Sequence, residues 1–366
     1  MNQRQAYIAN RAVLADSGEM VTDISLRDPI TALWVEMRAQ NGATYNKASF
    51  MASCIKTVEL IDGSDVLVSL DGYEAFALGC YHLGYIPYNL VCESGSLYQN
   101  CFFPIFFGRW LGDDQMSLDA TKFSNLQLRF KWDLAAVNAV GATGFLSGSG
   151  RLTVMATVME GAGAPSGYLA ARQHYNFTTA ASGTTYIDLP TDYPLKALYL
   201  RSYKAASGGV AGISNVKVNC GQGKFVPVDM GVTDLVRWLT MFYPPMHYKQ
   251  LVVAANGNTC YWLLKKDEVI QLQGTVADTV ITAVQQGVGE TALIITTAGS
   301  ADSTQREIDA LVEGWLPVST AYLPFGDPTD PGSYFNPTPW GNVRLELTNS
   351  EASAASYVVL EQAKPY

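Results

Sequence analysis

The residues best suited to chemistry are two pairs of neighbouring carboxylates. Asp113 and Asp114 are adjacent, and Asp327 and Asp330 are separated by two residues. Paired carboxylates serve general acid–base catalysis in glycoside hydrolases, and they also bind calcium. Each pair stands beside glycine or proline, where aspartates more often cap turns. We therefore predict no catalytic, cofactor-binding or metal-ligating residue, with calcium kept as an open alternative.

The thiols and imidazoles do not form a recognisable site. No C-x-x-C pair occurs, and the histidines are remote from one another in the sequence. This pattern predicts buried free thiols in a reducing compartment, such as the cytoplasm, and neither a zinc site nor a disulfide lattice. The residues concerned are Cys54, Cys80, Cys92, Cys101, Cys220, Cys260, His82, His174 and His247.

Sequence signatures of common enzymes are missing. The chain has no G-x-S-x-G, no G-x-x-x-x-G-K-[ST] and no H-E-x-x-H. Residues 221–224 (GQGK) predict a hairpin turn, and Asn176 begins a glycosylation sequon in form only. The aromatic run FFPIFFGRW at residues 102–110 predicts core or interface anchors, with a sugar-stacking platform as the alternative. We therefore expect a protein that is not an enzyme.

The bulk composition favours burial against other subunits over binding of nucleic acid. The 366 residues suggest two domains, and only 16% are charged, against about 25% in typical soluble domains. The net charge of -9 disfavours wrapping of nucleic acid, which needs clustered lysine and arginine. No apolar run reaches the length of a membrane-spanning helix, and residues 1–17 are too polar for a signal peptide.

An internal repeat is the strongest signal in the chain. Residues 18–33 align without a gap on residues 183–198, at an offset of 165 positions, and residues 55–87 align on residues 213–245. Internal self-similarity of this kind indicates a duplicated structural unit. Matched positions include Asp23 with Asp188, Pro29 with Pro194, Val58 with Val216, Val68 with Val226 and Asp71 with Asp229.

Later segments continue the correspondence in the same order. FPIFFG followed by FSNLQLRF corresponds to YLPFG followed by WGNVRLEL, so that Leu126 falls opposite Val343. Each copy then closes on a similar apolar run, RLTVMATVME in the first and ASYVVLEQ in the second. The sequence therefore predicts two copies of one unit.

The apolar pattern within a copy is that of strands. Runs such as KTVELI, DVLVSL and RLTVMATV alternate or stay apolar over five to nine residues between turn residues. Helical spacing is found at residues 73–83 and again at residues 231–242. We predict an all-β protein with two tandem eight-stranded antiparallel β-sandwiches, short flanking helices and a β-rich insertion in the second sandwich.

The predicted domains follow from the repeat. Residues 1–17 are an amphipathic N-terminal arm, residues 18–165 the first sandwich, and residues 166–190 a linker with an entry strand. Residues 191–366 are the second sandwich. Its long stretch at residues 246–320 predicts an inserted, projecting β-rich subdomain. Residues 303–312 within it predict a helix.

Two tandem sandwiches, each with a helix before a loop marked by proline and glycine, resemble the double jelly-roll major capsid proteins of tailless, membrane-containing icosahedral bacteriophages. The likeness lies in IKTVELIDGSDVLVSLDGYEAFALGCYHLG and in LGDDQMSLDATKFSNLQLRFKWDL, and it covers the chain from about residue 18 to the end. It implies homotrimers of pseudo-hexameric outline that tile a virion shell and contact neighbouring capsomers and minor capsid or vertex proteins. Residues 246–320 would form an outward tower. Residues 1–17 would lie near an internal membrane, and no sequence-specific contact with nucleic acid is implied.

Two other functions stay open at this point, because a fold does not fix a function. One is a carbohydrate-binding or glycan-cleaving tandem β-sandwich protein, which needs aromatic and carboxylate side chains in one groove. The other is a trimeric viral spike or minor capsid protein, which forms trimers but no particles.

Overall fold

The structure is a computed structural model that describes residues 2–42, 50–90, 98–137, 145–204, 209–254, 259–261, 264–265, 269–273, 279–284, 292–297 and 306–366. Strands dominate it, as the sequence predicts. Cys92 lies outside the described residues.

The first half of the chain contains nine strands and one α-helix within its described residues. In order they are β1 Asn2–Val13, β2 Ser17–Asp23, β3 Ile30–Gln40, β4 Ile55–Asp62, β5 Asp65–Leu70, α1 Gly72–Leu83, β6 Asn89–Leu90, β7 Tyr98–Phe106, β8 Leu126–Asp133 and β9 Arg151–Glu160. Short 3-10 turns lie at Met51–Cys54, Ala120–Lys122 and Leu134–Val137.

The second half repeats this series and adds an insertion. It begins with β10 Gly167–Thr178, β11 Thr184–Leu189, β12 Leu195–Tyr203, β13 Ile213–Cys220, β14 Phe225–Gly231 and α2 Val232–Leu239. The insertion holds β15 Met246–Ala254, β16 Thr259–Tyr261, β17 Leu264–Lys265, β18 Val269–Gln273, β19 Thr279–Val284, β20 Ala292–Thr297, β21 Arg306–Gly314 and β22 Leu316–Pro317. The chain ends with β23 Thr320–Pro324, the 3-10 turns Pro331–Ser333 and Thr338–Trp340, β24 Val343–Asn349 and β25 Ala355–Pro365.

The two halves have the same sheet topology. In the first half the strand orders are β1-β9-β3-β7, extended by β6, and β2-β8-β4-β5. In the second half they are β10-β25-β12-β23 and β11-β24-β13-β14. Equivalent strands occupy equivalent places, which is the jelly-roll arrangement of two facing antiparallel sheets. The duplication predicted from the sequence is therefore present in the fold.

Irregularities of the strand register recur at equivalent places. The β3–β9 ladder shifts between Ile30 and Ala32, and the β12–β25 ladder shifts between Leu195 and Ala197. The first strand of each half also shifts, between Tyr7 and Ala9 in β1 and between Gln173 and Tyr175 in β10. A bulge adds one residue and re-aims the strand, so the copies share local geometry as well as strand order.

Alternation along the strands buries one face of each sheet. β8 alternates buried and half-buried residues over its whole length, as expected of a strand with one face on a core. The largest completely buried side chains include Phe76, Phe103, Phe107, Phe130 and Tyr199. Each phenylalanine contributes on the order of 1.5–3 kcal/mol by leaving water.

Local sequence explains where α1 begins and ends. Asp71 is its N-cap and forms a capping box with Glu74, and Gly84 ends the helix in the left-handed conformation with φ 74°. The shorter α2 starts at Gly231, which has no side chain to cap it. Both helices predicted by the spacing of apolar residues are confirmed.

The structure corrects the sequence alignment by two residues within β14. Aligning Asp71 with Asp229 is wrong, because Asp71 precedes α1 and its equivalent before α2 is Gly231. The extra residues lie in the β13–β14 turn, which spans residues 221–224, whereas the β4–β5 turn spans residues 63–64. The hairpin turn predicted for residues 221–224 is confirmed.

The N-terminal segment is a strand of the first sandwich, which corrects the expectation of a separate arm. β1 pairs antiparallel with β9, from Asn2 opposite Glu160 to Val13 opposite Arg151. It is the counterpart of β10, which the sequence suggested was part of a linker. Both strands escaped the repeat search because β1 is mostly exposed and polar, whereas the first half of β10 is buried.

The insertion contains the expected strands and lacks the expected helix. β15 to β20 lie within the stretch that the sequence predicts to be β-rich. Residues 303–312 were expected to be helical, but β21 covers Arg306–Gly314 and pairs with both β15 and β18. Pairing on both edges outweighs the local helical spacing of a short segment. Within the described residues, no helix has the length and apolarity needed to span a membrane.

We expect Gly79→Val to destabilise the protein by about 1–3 kcal/mol, because α1 lies too close to β7 for a side chain. A Cβ at Gly79 would lie 2.7 Å from Cδ of Pro104. Urea unfolding measures the loss. Gly163→Val is the matched control, because a Cβ there meets nothing within 4 Å. Equal unfolding free energies for the two variants would contradict this account of helix placement.

Candidate functional site

Three of the four paired carboxylates, Asp113, Asp327 and Asp330, are engaged in local structure. Asp113 is buried and accepts bonds from Nε and Nη2 of Arg109 at 2.6 and 2.7 Å. Burial alone would raise the pKa of Asp113, but the bonds from Arg109 outweigh it and lower the pKa below its usual value. Asp327 and Asp330 accept backbone bonds from Thr329 and Gly332. The expected capping role is confirmed for all three.

The thiols and histidines also lack the arrangement of a reactive site. Cys54, Cys80, Cys101 and Cys220 are free and buried, and burial raises the pKa of the Cys54 thiol to about 12. Nε2 of His174 lies 2.8 Å from a backbone oxygen. Within the described residues, no three ligating side chains form a group that could hold a metal ion.

The aromatic run at residues 102–110 mainly builds the interior. Phe103 and Phe107 are completely buried. Phe102 stacks on Trp34, with ring centroids 5.7 Å apart and planes 11° apart. Trp110 lies under the guanidinium of Arg109, 4.2 Å from its ring centroid. The predicted role of Phe103 and Phe107 as core anchors is confirmed.

The most elaborate polar arrangement lies between the two sandwiches, and we call it the junction. It is formed by β5 and α1 of the first half against β10, β12, β23 and β25 of the second half. Arg172 of β10 pairs with Ser69 of β5 in the parallel sense. This bridge joins sheets of both halves into one eight-stranded sheet, β2-β8-β4-β5-β10-β25-β12-β23.

A buried carboxylate stands at the centre of the junction. Oε1 of Glu361, in β25, lies 3.1 Å from Nζ of Lys196 in β12 and 2.9 Å from Nε2 of His82 in α1. The hydroxyl of Tyr199 donates to Oε2 of Glu361 at 2.9 Å. All four side chains are buried or nearly so. The cluster therefore contains one side chain from the first half, that of His82, and three from the second.

The charges of this cluster follow from its surroundings. Burial would raise the pKa of Glu361, but Lys196 and His82 outweigh burial and hold that pKa well below its usual value. Burial lowers the pKa of His82. Glu361 is therefore the anion opposite the Lys196 ammonium, and His82 is a neutral hydrogen-bonding partner at neutral pH.

A second ionic contact crosses the junction at the start of α1. Nη1 of Arg201, in β12, lies 3.3 Å from Oδ2 of Asp71, the N-cap of α1. The same guanidinium lies over the ring of Tyr73 at 4.3 Å and over that of Tyr357 at 5.0 Å. Arginine thus ties the helix cap of one half to a strand of the other.

Glu74 is the second member of the α1 cap and also faces the second half. It is almost completely buried, and its Oε2 accepts the backbone N–H of Asp71 at 2.9 Å. With the Gln173 amide oriented so that its nitrogen faces Glu74, that nitrogen lies 3.0 and 3.2 Å from the two carboxyl oxygens. Burial, reinforced by the nearby Asp71 carboxylate, raises the pKa of Glu74 to about 8.

Tyrosine rings fill the junction around this polar centre. The ring of Tyr81, in α1, lies 5.1 Å from that of Tyr322, 5.7 Å from that of Tyr243 and 6.0 Å from that of Tyr199. The hydroxyl of Tyr81 donates to the backbone oxygen of Thr320 at 2.8 Å. Buried tyrosines combine large apolar area with one satisfied polar group.

Loops beside the junction add two further links between the halves. Nη1 of Arg109 donates to the backbone oxygen of Thr329 at 2.9 Å. The hydroxyl of Tyr366, the last residue, donates to the backbone oxygen of Ser117 at 2.6 Å. The arrangement as a whole fixes one sandwich against the other, which is a mechanical role.

Sequence reasoning missed the junction, although a signal for it was present. Lys196 stands in the strand LKALYLRSY, and Glu361 stands in the run VVLEQ. A charge inside an otherwise apolar strand is almost never buried without a partner. The opposite charges pointed to each other, but the sequence has no feature that would pair them across 165 residues.

The fold is similar to solved viral capsid structures, whereas the sequence matches no protein-family model and no curated protein. The major capsid protein of Sulfolobus Turreted Icosahedral Virus (STIV) superposes with a TM-score of 0.61 at 12% identity, covering 100% of this chain and 98% of that chain. The major capsid protein P2 from bacteriophage PM2 gives 0.54 at 12% identity, covering 99% and 98%.

VP54 of PBCV-1, fitted into a reconstruction of the virophage Sputnik, gives a TM-score of 0.58 at 12% identity, covering 99% of this chain and 94% of that chain. The chain therefore has the fold of these capsid proteins over its whole length.

We expect Lys196→Met to cost about 3–5 kcal/mol in unfolding free energy, because it leaves the buried Glu361 carboxylate without its cation. Adding Glu361→Gln should restore most of the loss, since glutamine still accepts the bond from Tyr199 without a charge. Chemical denaturation of the single and double variants measures both effects. A double variant as unstable as the single one would contradict the electrostatic account.

We expect Glu74 to make the folded protein less stable as pH rises. Its folded pKa of about 8 lies above the ordinary value of 4.5, so the folded state binds more protons between these values. Its contribution is complete below about pH 4.5 and is lost as pH rises through about 8. In Glu74→Gln this loss should vanish. Denaturant midpoints of both proteins at pH 5.5 and 8.5 test it, and parallel pH profiles would contradict it.

Proposed function

We propose that this protein is a structural major capsid protein whose trimers tile the shell of an icosahedral virion. The observation that carries the proposal is the match in fold to the STIV and PM2 major capsid proteins, which covers at least 98% of each chain compared. The match spans the residues of both sandwiches. A shared single sandwich would be much weaker support, because that unit serves many functions.

We further propose that the trimer has a pseudo-hexameric outline. Each chain supplies two sandwiches of the same strand order, so three chains supply six similar units. Closed rotation of identical chains is the usual way to bury such surfaces. The low share of charged residues and the exposed large side chains, among them Tyr7, Met241 and Phe242, support burial against further copies.

We also propose domain boundaries for the chain and neighbours for the shell. Residues 2–160 and 167–366 are the two eight-stranded jelly rolls, and residues 246–320 form a tower on the second.

The shell would enclose a membrane and contact minor capsid or vertex proteins. The net charge of -9 supports lipid over genome as the inner neighbour. A bacterial host is proposed on the sequence resemblance.

The rival functions have less support from the geometry. A glycan-cleaving site needs free carboxylates, whereas Asp113 is bound by Arg109, and Asp327 and Asp330 cap turns. A spike or minor capsid protein would share the trimer but would form no shell.

We expect the purified protein to be trimeric in native mass spectrometry and to form shells or facet-like hexagonal sheets in electron micrographs at high concentration. Each lattice point should show three-fold symmetry with six similar lobes. A stable monomer that binds oligosaccharides would overturn the capsid function. A trimer that never forms a lattice would instead favour the spike or minor capsid protein.

A further inference from the structure

The equivalent outer faces of the two sandwiches are covered unequally. Tyr199 of β12 is completely buried beneath α1, whereas its equivalent on β3, Trp34, is half-buried. Likewise Arg201 is buried, and its equivalent Glu36 is half-buried. The same sheet face is therefore covered by the other half of the chain in one copy of the unit and left open in the other.

The helices show the complementary inequality. Tyr81 and His82 stand ten and eleven residues after the N-cap of α1 and lie in the junction. Met241 and Phe242 stand at the same distances from the N-cap of α2. Tyr81 is 3% exposed, whereas Met241 is 79% exposed and Phe242 57% exposed. The positions that contact a sheet in the first half are thus exposed in the second, where Phe242 packs against Trp238 of its own helix.

The sheet edges repeat this pattern. Within the described residues, β1 pairs with β9 alone and β14 pairs with β13 alone, so both are edge strands. Their equivalents, β10 and β5, pair with each other across the junction. Exposed edges carry unpaired backbone N–H and C=O groups that can pair with another strand. Tyr7 on β1 is 61% exposed, and Phe225 on β14 is 40% exposed.

We propose that β14 and the end of α2 of one copy cover β1 and the outer face of β3 of a second copy, in the register of the junction. The inference rests on the proposed capsid function and specifies the contact within its trimer. Strand pairing within each sheet gives the equivalences. Ser69 corresponds to Asp229, Glu74 to Asp234, Arg172 to Ala6 and Gln173 to Tyr7. Asp229 would then lie opposite Ala6, and Asp234 beside Tyr7.

The side chains at the equivalent positions suit a contact that forms after folding. The counterparts of Lys196, Glu361 and His82 are Thr31, Thr157 and Phe242, so the buried charges are replaced by neutral groups. Burying an ion pair on association would require both charges to be desolvated first. Asp229 and Asp234 are already paired within their own copy, with Lys217 and Arg237.

The contact is heterologous, because it joins different surfaces of identical chains. A repeated heterologous contact leads from each copy to the next in one rotational sense. In a closed trimer, the junction within each chain and the proposed contact between chains would alternate around the ring. Every sandwich would then contact its neighbours through the same two surfaces. A contact between two identical surfaces, as in a two-fold dimer through β1, would leave β14 of both copies uncovered.

Site-directed cross-linking tests the proposed register. Ala6→Cys and Asp229→Cys are placed in a background carrying Cys92→Ser and Cys260→Ser, and the oxidised proteins are run on denaturing gels without reductant. In-register neighbours on adjacent strands lie about 5 Å apart, within the range of a disulfide. Chains carrying both substitutions should give covalent trimers. Two co-expressed single variants should give covalent dimers, and each single variant alone should stay monomeric on the gel.

The outcomes separate this inference from the function on which it rests. Cross-linking of either single variant alone would show an isologous contact and overturn the proposal. A sample that is trimeric in native mass spectrometry but gives no cross-link would also overturn it, while the capsid function stands. A protein that stays monomeric even at the high concentration used for electron microscopy would overturn both the proposed contact and the capsid function.

A surface substitution gives an independent readout. Phe242→Asp should weaken trimer formation by about tenfold or more, as expected for an aromatic anchor at an interface. The monomer should keep its denaturant midpoint, since the side chain is already exposed. Tyr186→Asp is the control, because Tyr186 is 59% exposed on β11, outside the proposed contact. Equal association by the two variants would contradict the inference.

Discussion

Glu361 takes its charge partner from its own half of the chain and its histidine partner from the other. A buried carboxylate with neither partner would cost several kcal/mol, so the cluster tolerates only one position of α1 over β12. The Asp71–Arg201 contact and the tyrosines around Tyr81 depend on the same position. The relative placement of the two sandwiches is thus set by electrostatics and filled in by aromatic packing.

Duplication gives the chain two copies of the helix surface and two copies of the sheet surface. Within one chain, only one helix surface and one sheet surface contact each other. The end of α1 covers the sheet of the second half, whereas Met241 and Phe242 after α2 are exposed and the outer face of β3 is only half-buried. Divergence between the copies follows this difference in environment. Charged residues occur at the junction, whereas the equivalent positions of the other copy carry Thr31 and Thr157, which are buried within the first sandwich, and Phe242, which is exposed.

The sequence predicted what depends on local pattern. Matched turns and apolar runs were enough to find both helices and most strands of both sandwiches, because these are fixed by periodicity and capping residues such as Asp71. It failed where tertiary pairing decides. β1 is an exposed polar strand that resembles β10 only in its partner, and β21 is held as a strand by neighbours on both sides. The junction joins residues too distant for any local signal.

The parallel bridge between Ser69 and Arg172 has a consequence for elasticity. Because one sheet runs from β2 in the first half to β23 in the second, the bridge between Ser69 and Arg172 opposes bending between the sandwiches. Bending the chain between the sandwiches would break backbone hydrogen bonds and would also expose the buried charges of the junction. In the proposed shell, such stiff subunits would take up curvature at the contacts between chains, and flat facets would be favoured.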